Sequence, residues 1–259
     1  MGIRPYKNHQ FIPEKVITMT HIYRCQIELQ DSLYFATREL GRLYETEPIL
    51  HNYALTYALG FVDSETYGTT VSEEESYRYF CSEQIPKYEQ HLTPLNQQKI
   101  YVTPAYPLSH ASVLNTWKYA DNRYHVEMQK TQKNIPSYGR TKEITPESVF
   151  ECYIISKVSL QKETNSQKWQ WRLPKFIRLG KWMSKAELFL EELSVAQKYS
   201  NQTFIYPHPL NPLDVMFTNQ VISYDVVNMP PVSLIRNVNL RGDYYTFAHN
   251  SSLKLPVNM

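Results

Sequence analysis

Seven glycines in 259 residues leave little material for the backbone loops that cradle phosphates. Neither G-x-G-x-x-G nor G-x-x-x-x-G-K-[ST] occurs in the chain, which argues against the usual dinucleotide and nucleoside-triphosphate cofactor sites. H-E-x-x-H, C-x-x-C and G-x-S-x-G are missing as well, and with them the common signatures of zinc and serine hydrolases. The run Glu73, Glu74, Glu75 sends consecutive carboxylates to different faces of a helix and makes a poor metal cage. Cys25, Cys81 and Cys152 are odd in number and far apart, so they fit buried thiols in a reducing compartment better than a disulfide framework. No run of about 18 apolar residues is present, and the opening M-G-I-R-P-Y-K-N-H-Q lacks the apolar centre of a signal peptide. These absences predict a soluble, cytoplasmic protein without membrane contact, cofactor or metal.

What the sequence does have is concentrated in 169–185, W-Q-W-R-L-P-K-F-I-R-L-G-K-W-M-S-K, where rings and cations recur with no acidic side chain among them. Arg172, Lys175, Arg178, Lys181 and Lys185 suit phosphates, while Trp169, Trp171, Phe176 and Trp182 offer flat apolar surfaces for unpaired bases. Gly180 interrupts the run where a backbone turns tightly or approaches a ligand. An amphipathic strand with a basic solvent face produces a similar pattern.

Net charge is only +2, but it is unevenly spread. Residues 28–89 carry 4 Lys and Arg against 12 Asp and Glu, a balance of −8, whereas 110–185 carry 14 against 6, a balance of +8. Such polarisation suits one face for a polyanion and another for a protein neighbour, unless folding mixes the two halves.

The elements follow from periodicity. Residues 1–19 read as an N-terminal extension, and 20–259 as one domain. From Thr20 the alternation predicts a half-buried strand, with Tyr23, Cys25, Ile27 and Leu29 on one side and Ile22, Arg24, Gln26 and Glu28 on the other. Thr46 as N-cap, Pro48 in the first turn and Gly60 as the stop predict a helix, whose stripe of Leu50, Tyr53, Ala54, Tyr57, Ala58 and Phe61 packs on a sheet. Ser72 and Glu75 form a capping box for a short acidic helix, and 99–103 reads as a strand. Residues 111–136 predict a long β-hairpin or arm projecting from the core, and 149–160 with 169–179 a second hairpin. Ser184 and Glu187 mark a helix over 184–199. Strands are expected near 215–227 and 232–247, with Arg241-Gly242-Asp243 as a turn. Strand, loop, helix is the opening of an α+β, ferredoxin-like fold.

Eight histidines leave room for metal-independent RNA cleavage by general acid and base, with His51 beside Tyr53 or His125 beside Tyr124. A histidine near a helix start more often caps or contacts phosphate. A general single-stranded RNA binder is a further alternative.

The stretch I-Y-R-C-Q-I-E-L-Q-D-S-L-Y-F-A-T-R-E-L-G-R-L-Y-E-T-E-P-I-L-H-N-Y-A-L-T-Y-A-L-G, together with F-I-R-L-G-K-W-M-S-K, resembles the RAMP-superfamily subunit that binds the 5′ handle of the guide RNA in type I CRISPR interference (Cascade) complexes, and is most similar to the type I-D version. The resemblance implies a non-catalytic subunit with a ferredoxin-like RAMP domain and a β-hairpin thumb inserted at about 110–145. Its implied partners are the crRNA 5′ handle, the backbone subunits, the large subunit and target DNA near the protospacer-adjacent end. On this chain Arg38, Arg42, Tyr44, Thr46, His51 and Asn52 would line the handle, and Arg178, Gly180, Lys181 and Trp182 would form the RNA loop. The thumb would carry Trp117, Lys118, Arg123, Tyr124, Lys130, Lys133, Arg140 and Lys142. The glycine-rich loop usual in that superfamily is reduced here to Gly180 alone.

Overall fold

The computed structural model describes residues 20–62, 88, 92, 95, 100–119, 137–163, 169–171, 173–248, 250, 252–257 and 259. The N-terminal extension, the acidic helix around Ser72 and Glu75, Cys81 and His125 lie outside the described residues. In chain order come β1 (His21–Leu29), β2 (Arg38–Leu40), β3 (Leu43–Glu45), helix α1 (Asn52–Ala58), β4 (Ile100–Val102), β5 (Tyr106–Ser109), β6 (Ser112–Tyr119) and β7 (Ser137–Ile144). Then follow β8 (Val149–Ser156), β9 (Gln161–Glu163), β10 (Trp169–Trp171), β11 (Phe176–Leu179), β12 (Ser184–Glu192) and β13 (Val195–Tyr206). A short helix α2 (Pro212–Val215), β14 (Gln220–Val227), β15 (Leu234–Phe247) and β16 (Leu255–Pro256) complete the chain. The fold is mostly β with few helices.

The central sheet has the order β11-β12-β1-β8-β4, with β5 also on β8. β1 is the alternating strand the sequence predicts: Tyr23, Cys25, Ile27 and Leu29 are buried in one core together with Leu50, Leu55 and Leu59 from around α1. Each such side chain removed from water contributes about 1.5–3 kcal/mol, which is what holds α1 to the sheet. Cys25 and Cys152 face each other in the β1–β8 ladder, both buried. The opposite face of β1 is covered too, because Ile22 and Tyr153 pack into a second core with Phe204, Tyr206, Val238 and Leu240 of the β13-β15-β14 sheet. Arg24, Gln26 and Glu151 share that covered face, where Glu151 is 2% exposed. A third sheet, β2-β3-β7-β6, contains a parallel β3–β7 pair and joins the centre through the Leu33↔Ile144 bridge.

Four expectations are corrected. The helix is shorter than its capping signals suggest: Thr46 is buried and bonds both the N–H and the C=O of Phe35, so α1 begins at Asn52 with His51 as its N-cap. Its buried residues are Asn52, Leu55 and Thr56, and Leu50 is buried outside the helix. Gly60 does take the left-handed conformation, φ 76°. The segment 184–199 forms β12 and the start of β13, not a helix. Its helix-favouring Lys, Ala, Glu and Leu are outvoted by a period-two pattern, Ser184, Ala186 and Leu188 buried, that completes the ladder to β1. The second hairpin does not form: β8 pairs with β1, β4 and β5, while β11 pairs with β12 and β10 with β9. The pair β6–β7 is antiparallel, and its strands Ser112–Tyr119 and Ser137–Ile144 both lie within 110–145. Finally, Arg241, Gly242 and Asp243 lie inside β15 rather than in a turn, with Gly242 where a Cβ would strike the Asn219 side chain.

Candidate nucleic-acid interface

The turn between β11 and β12 is bent by Gly180 at φ 75° and Met183 at φ 55°. A Cβ at Gly180 would stand 2.6 Å from the carbonyl oxygen of Tyr34, so only glycine lets the turn lie against that backbone. The docking is hydrogen-bonded: Lys181 N–H donates to Tyr34 O at 2.9 Å, Ser184 Oγ to Ser32 O at 2.6 Å, and Lys185 N–H to Asp31 Oδ2 at 2.9 Å. Leu33 and Tyr34 are thereby pinned between the central sheet and the β2-β3-β7-β6 sheet.

This places an aromatic pair at the junction. The Trp182 ring, 53% exposed, lies 4.6 Å from the buried Tyr34 ring at 39°. Burial, then Tyr44 and Glu143, hold the Tyr34 hydroxyl above its ordinary pKa, so Tyr44 stands close by on the neighbouring sheet. Tyr44 is itself raised by Glu39. The same turn and its flanking strands carry cations. Arg178 donates to Met183 O at 3.1 Å and approaches Asp31 at 3.9 Å, and Lys181 is exposed at the tip. Lys185 lies 4.1 Å and Lys175 5.1 Å from the centre of the Phe176 ring, and Lys175 also pairs with Glu187 at 2.9 Å. Arrayed rings beside cations suit stacking of bases with neutralisation of phosphates.

The remaining predicted residues divide. Arg42, Arg140 and Lys142 are exposed and come together because β3 runs beside β7, with Leu43 opposite Arg140 and Glu45 opposite Lys142. Arg38 is exposed but held by Glu45 and Glu47. Trp117, 40% exposed, covers Gly139, where a Cβ would collide with the indole. Arg123, Tyr124, Lys130, Lys133 and Arg172 lie outside the described residues, as does the side chain of Lys118. Thr46, His51 and Asn52 are 3%, 5% and 4% exposed and spend their polar groups internally, which removes them from the surface expected to line a handle. The charge polarity of the sequence is also partly mixed by folding, since Asp31 meets Arg178 and Glu45 meets Lys142 at 3.7 Å.

His51 is a neutral cap. Its Nε2–H donates to Val232 O at 3.1 Å while Nδ1 accepts from Tyr53 N–H at 3.2 Å, and burial lowers its pKa from 6.5 to about 4. His208, stacked 3.6 Å from the Tyr106 ring, is lowered by burial to about 4 as well. The unfolded chain therefore takes up these protons near 6.5 and the folded chain only near 4, so the stability they contribute is complete above 6.5 and is lost as pH falls. Asp214, raised by burial, acts in the opposite sense nearer its unfolded value of 3.8. Thermal melts should show a falling midpoint between pH 6.5 and 4, and the double replacement His51→Asn, His208→Asn should flatten that slope. An unchanged slope would show that neither imidazole is buried neutral.

Tyr34 and Asp31 belong to the site although no sequence pattern marks them. Nothing local links them to Gly180, about 150 residues away in the chain; only the β1–β12 pairing brings them there. Among the described residues no group of three His, Cys, Asp or Glu could hold a metal ion, and no helix is long and apolar enough to cross a membrane.

No curated protein matches the chain. Among solved structures, a chain in the cryo-EM structure of type III-B Cmr-beta bound to cognate target RNA aligns at 14% identity and TM-score 0.32, covering 54% of this chain and 48% of that one, so this chain spans about half of its length. A second, from Cmr-beta bound to cognate target RNA and AMPPnP, aligns at 10% identity and TM-score 0.45 over 84% of this chain and 86% of that one. The family model described as type I-D CRISPR-associated protein Cas5/Csc1 matches residues 20–259. That match takes in every described residue, the Gly180 turn and its rings included, and the chain belongs to the type I-D Cas5/Csc1 family of CRISPR-associated proteins.

Proposed function

We propose that this chain is a non-catalytic subunit of a type I-D CRISPR interference complex that grips the 5′ handle of the crRNA. The observation that carries this reading is the Gly180 turn, where exposed Trp182 rests on Tyr34 and the same turn and its flanking strand carry the exposed side chains of Arg178 and Lys181. Arg42, Tyr44, Arg140 and Lys142 on the adjoining sheet extend the same surface. β6 and β7 serve as the base of a thumb that reaches between guide and target DNA near the protospacer-adjacent end. The backbone and large subunits contact other faces of a single RAMP domain spanning 20–259.

A ferredoxin-like core is supported by strand order. β12, β1, β8 and β4 lie side by side in that order, all antiparallel, with α1 between β1 and β4. The described residues between β8 and β12 form strands where a second helix would complete the pattern. Two RNA contacts differ in kind: neutralising cations set affinity through salt, and stacking sets it independently of sequence. Catalysis by His51 has no support in its geometry, because both ring nitrogens are engaged in a buried cap.

The test is to replace Arg178, Lys181 and Trp182 with alanine together and measure crRNA retention in the assembled complex. Loss of two phosphate contacts should lower the salt slope of RNA binding by about 1.4, at about 0.7 per contact, and loss of the stack should cost about 1–3 kcal/mol. Wild-type retention with an unchanged salt slope would refute this placement.

A further inference from the structure

A cavity of about 400 Å³ lies between α1, β4 and α2, lined among others by Asn52, Tyr53, Tyr88, Tyr101, Asp214 and Val232. Its polar end is one carboxylate. Asp214 Oδ2 accepts from the Tyr101 hydroxyl at 2.8 Å and from Asn52 Nδ2 at 3.1 Å, while Oδ1 accepts no hydrogen bond from a described residue. Burial outweighs those two donors and keeps the Asp214 carboxyl above its ordinary pKa. The other end is aromatic: the Tyr53 and Tyr88 rings lie 4.8 Å apart at 31°, and Tyr57 meets Tyr88 edge-on.

A ligand that satisfies both ends must be flat and must donate an N–H at its rim. We infer that this cavity takes an amino-bearing nucleobase, adenine, cytosine or guanine, stacked on Tyr53 and Tyr88 with its exocyclic amine donating to Asp214 Oδ1. The volume suits one nucleotide, and aromatic stacking is indifferent to which base is present. Discrimination comes from the carboxylate. Uracil presents carbonyl oxygens on either side of its one ring N–H, and these oppose a second acceptor. A guanidinium is also flat, but its forked donors want both carboxylate oxygens, and Oδ2 already serves two. A metal ion would find one carboxylate where it needs several ligands.

The inference deepens the RNA reading by naming a class of base, and rests on it only for the polymer that carries that base. The test titrates the full-length chain with AMP, CMP, GMP and UMP, and then with the matching short RNA homopolymers. The three amino-bearing nucleotides should bind about tenfold more tightly than UMP, as one hydrogen bond to a charged group allows. Asp214→Asn, whose amide oxygen can still accept from Tyr101 and Asn52 while its NH₂ faces the cavity, should reverse the order in favour of UMP. Tyr88→Leu should weaken all four alike. A preference seen with free nucleotides points to a nucleotide ligand in its own right, and one seen only with homopolymers to a base presented by a strand. Equal binding of UMP, an order unaltered by Asp214→Asn, tighter binding of arginine amide, or no binding in either form would overturn the assignment. The Arg178, Lys181, Trp182 triple variant should keep the mononucleotide order, so failure of the handle reading and failure of this one give different results.

Discussion

Replacing Glu151 with alanine is expected to destabilise the protein by several kcal/mol, about 1–3 kcal/mol for each buried hydroxyl left without its acceptor. Glu151 accepts from the hydroxyls of Tyr106 and Tyr153, each at 2.6 Å, and from the guanidinium of Arg24, in the seam where the central sheet meets the β13-β15-β14 sheet. Burial alone would push its pKa up; the donors Tyr106, Tyr153 and Arg24 more than offset that and hold it below the ordinary glutamate value. Removing the carboxylate strands two hydroxyls and a half-exposed cation between layers. Glu151→Gln keeps an acceptor and should cost less. Urea unfolding monitored by circular dichroism would give both values, and a loss under about 1 kcal/mol for the alanine variant would show that the seam holds through apolar contact alone.

Gly180→Val should have the larger effect on binding. A β-branched residue at φ 75° is strained by about 1–2 kcal/mol from its backbone alone. Its Cβ would also meet the Tyr34 carbonyl, which belongs to the backbone and cannot swing aside. The turn would have to lift, breaking the Lys181 N–H to Tyr34 bond and separating Trp182 from Tyr34. The expected outcome is a folded chain with a modestly lower melting point and at least a tenfold loss of crRNA affinity, one stack being worth about 1–3 kcal/mol. Retained affinity in a folded Gly180→Val variant would remove the turn from the interface. Thermal melts and RNA filter binding on the same preparation separate the two effects.

What could be read from residues alone follows the range of each interaction. β1 was legible because an alternation over nine residues reports its own two faces. The turn at Gly180 was legible because a lone glycine within a basic aromatic run marks a tight turn or a close backbone approach, although its actual constraint, the Tyr34 carbonyl, was not. The β12 strand was missed because helix propensity and a capping box are local signals, whereas its pairing with β1 spans some 160 residues. Thr46 and His51 show the same limit at one helix start: both have side chains that cap, and only tertiary contacts, Phe35 for one and Val232 for the other, decide which does so.

The position of β1 also bears on how the chain assembles during synthesis. Among the described residues, the second strand of the central layer to appear, β4, does not pair with β1, whose neighbours β8 and β12 end only at Ser156 and Glu192. Tyr23, Cys25, Ile27 and Leu29 thus leave the ribosome well before either strand that will flank them. Loop closure over such separations is slow, and a bare apolar strand invites wrong pairings in the interval. A nascent chain halted ahead of residue 184 should remain protease-sensitive and dependent on chaperones, with resistance gained abruptly once β12 has emerged.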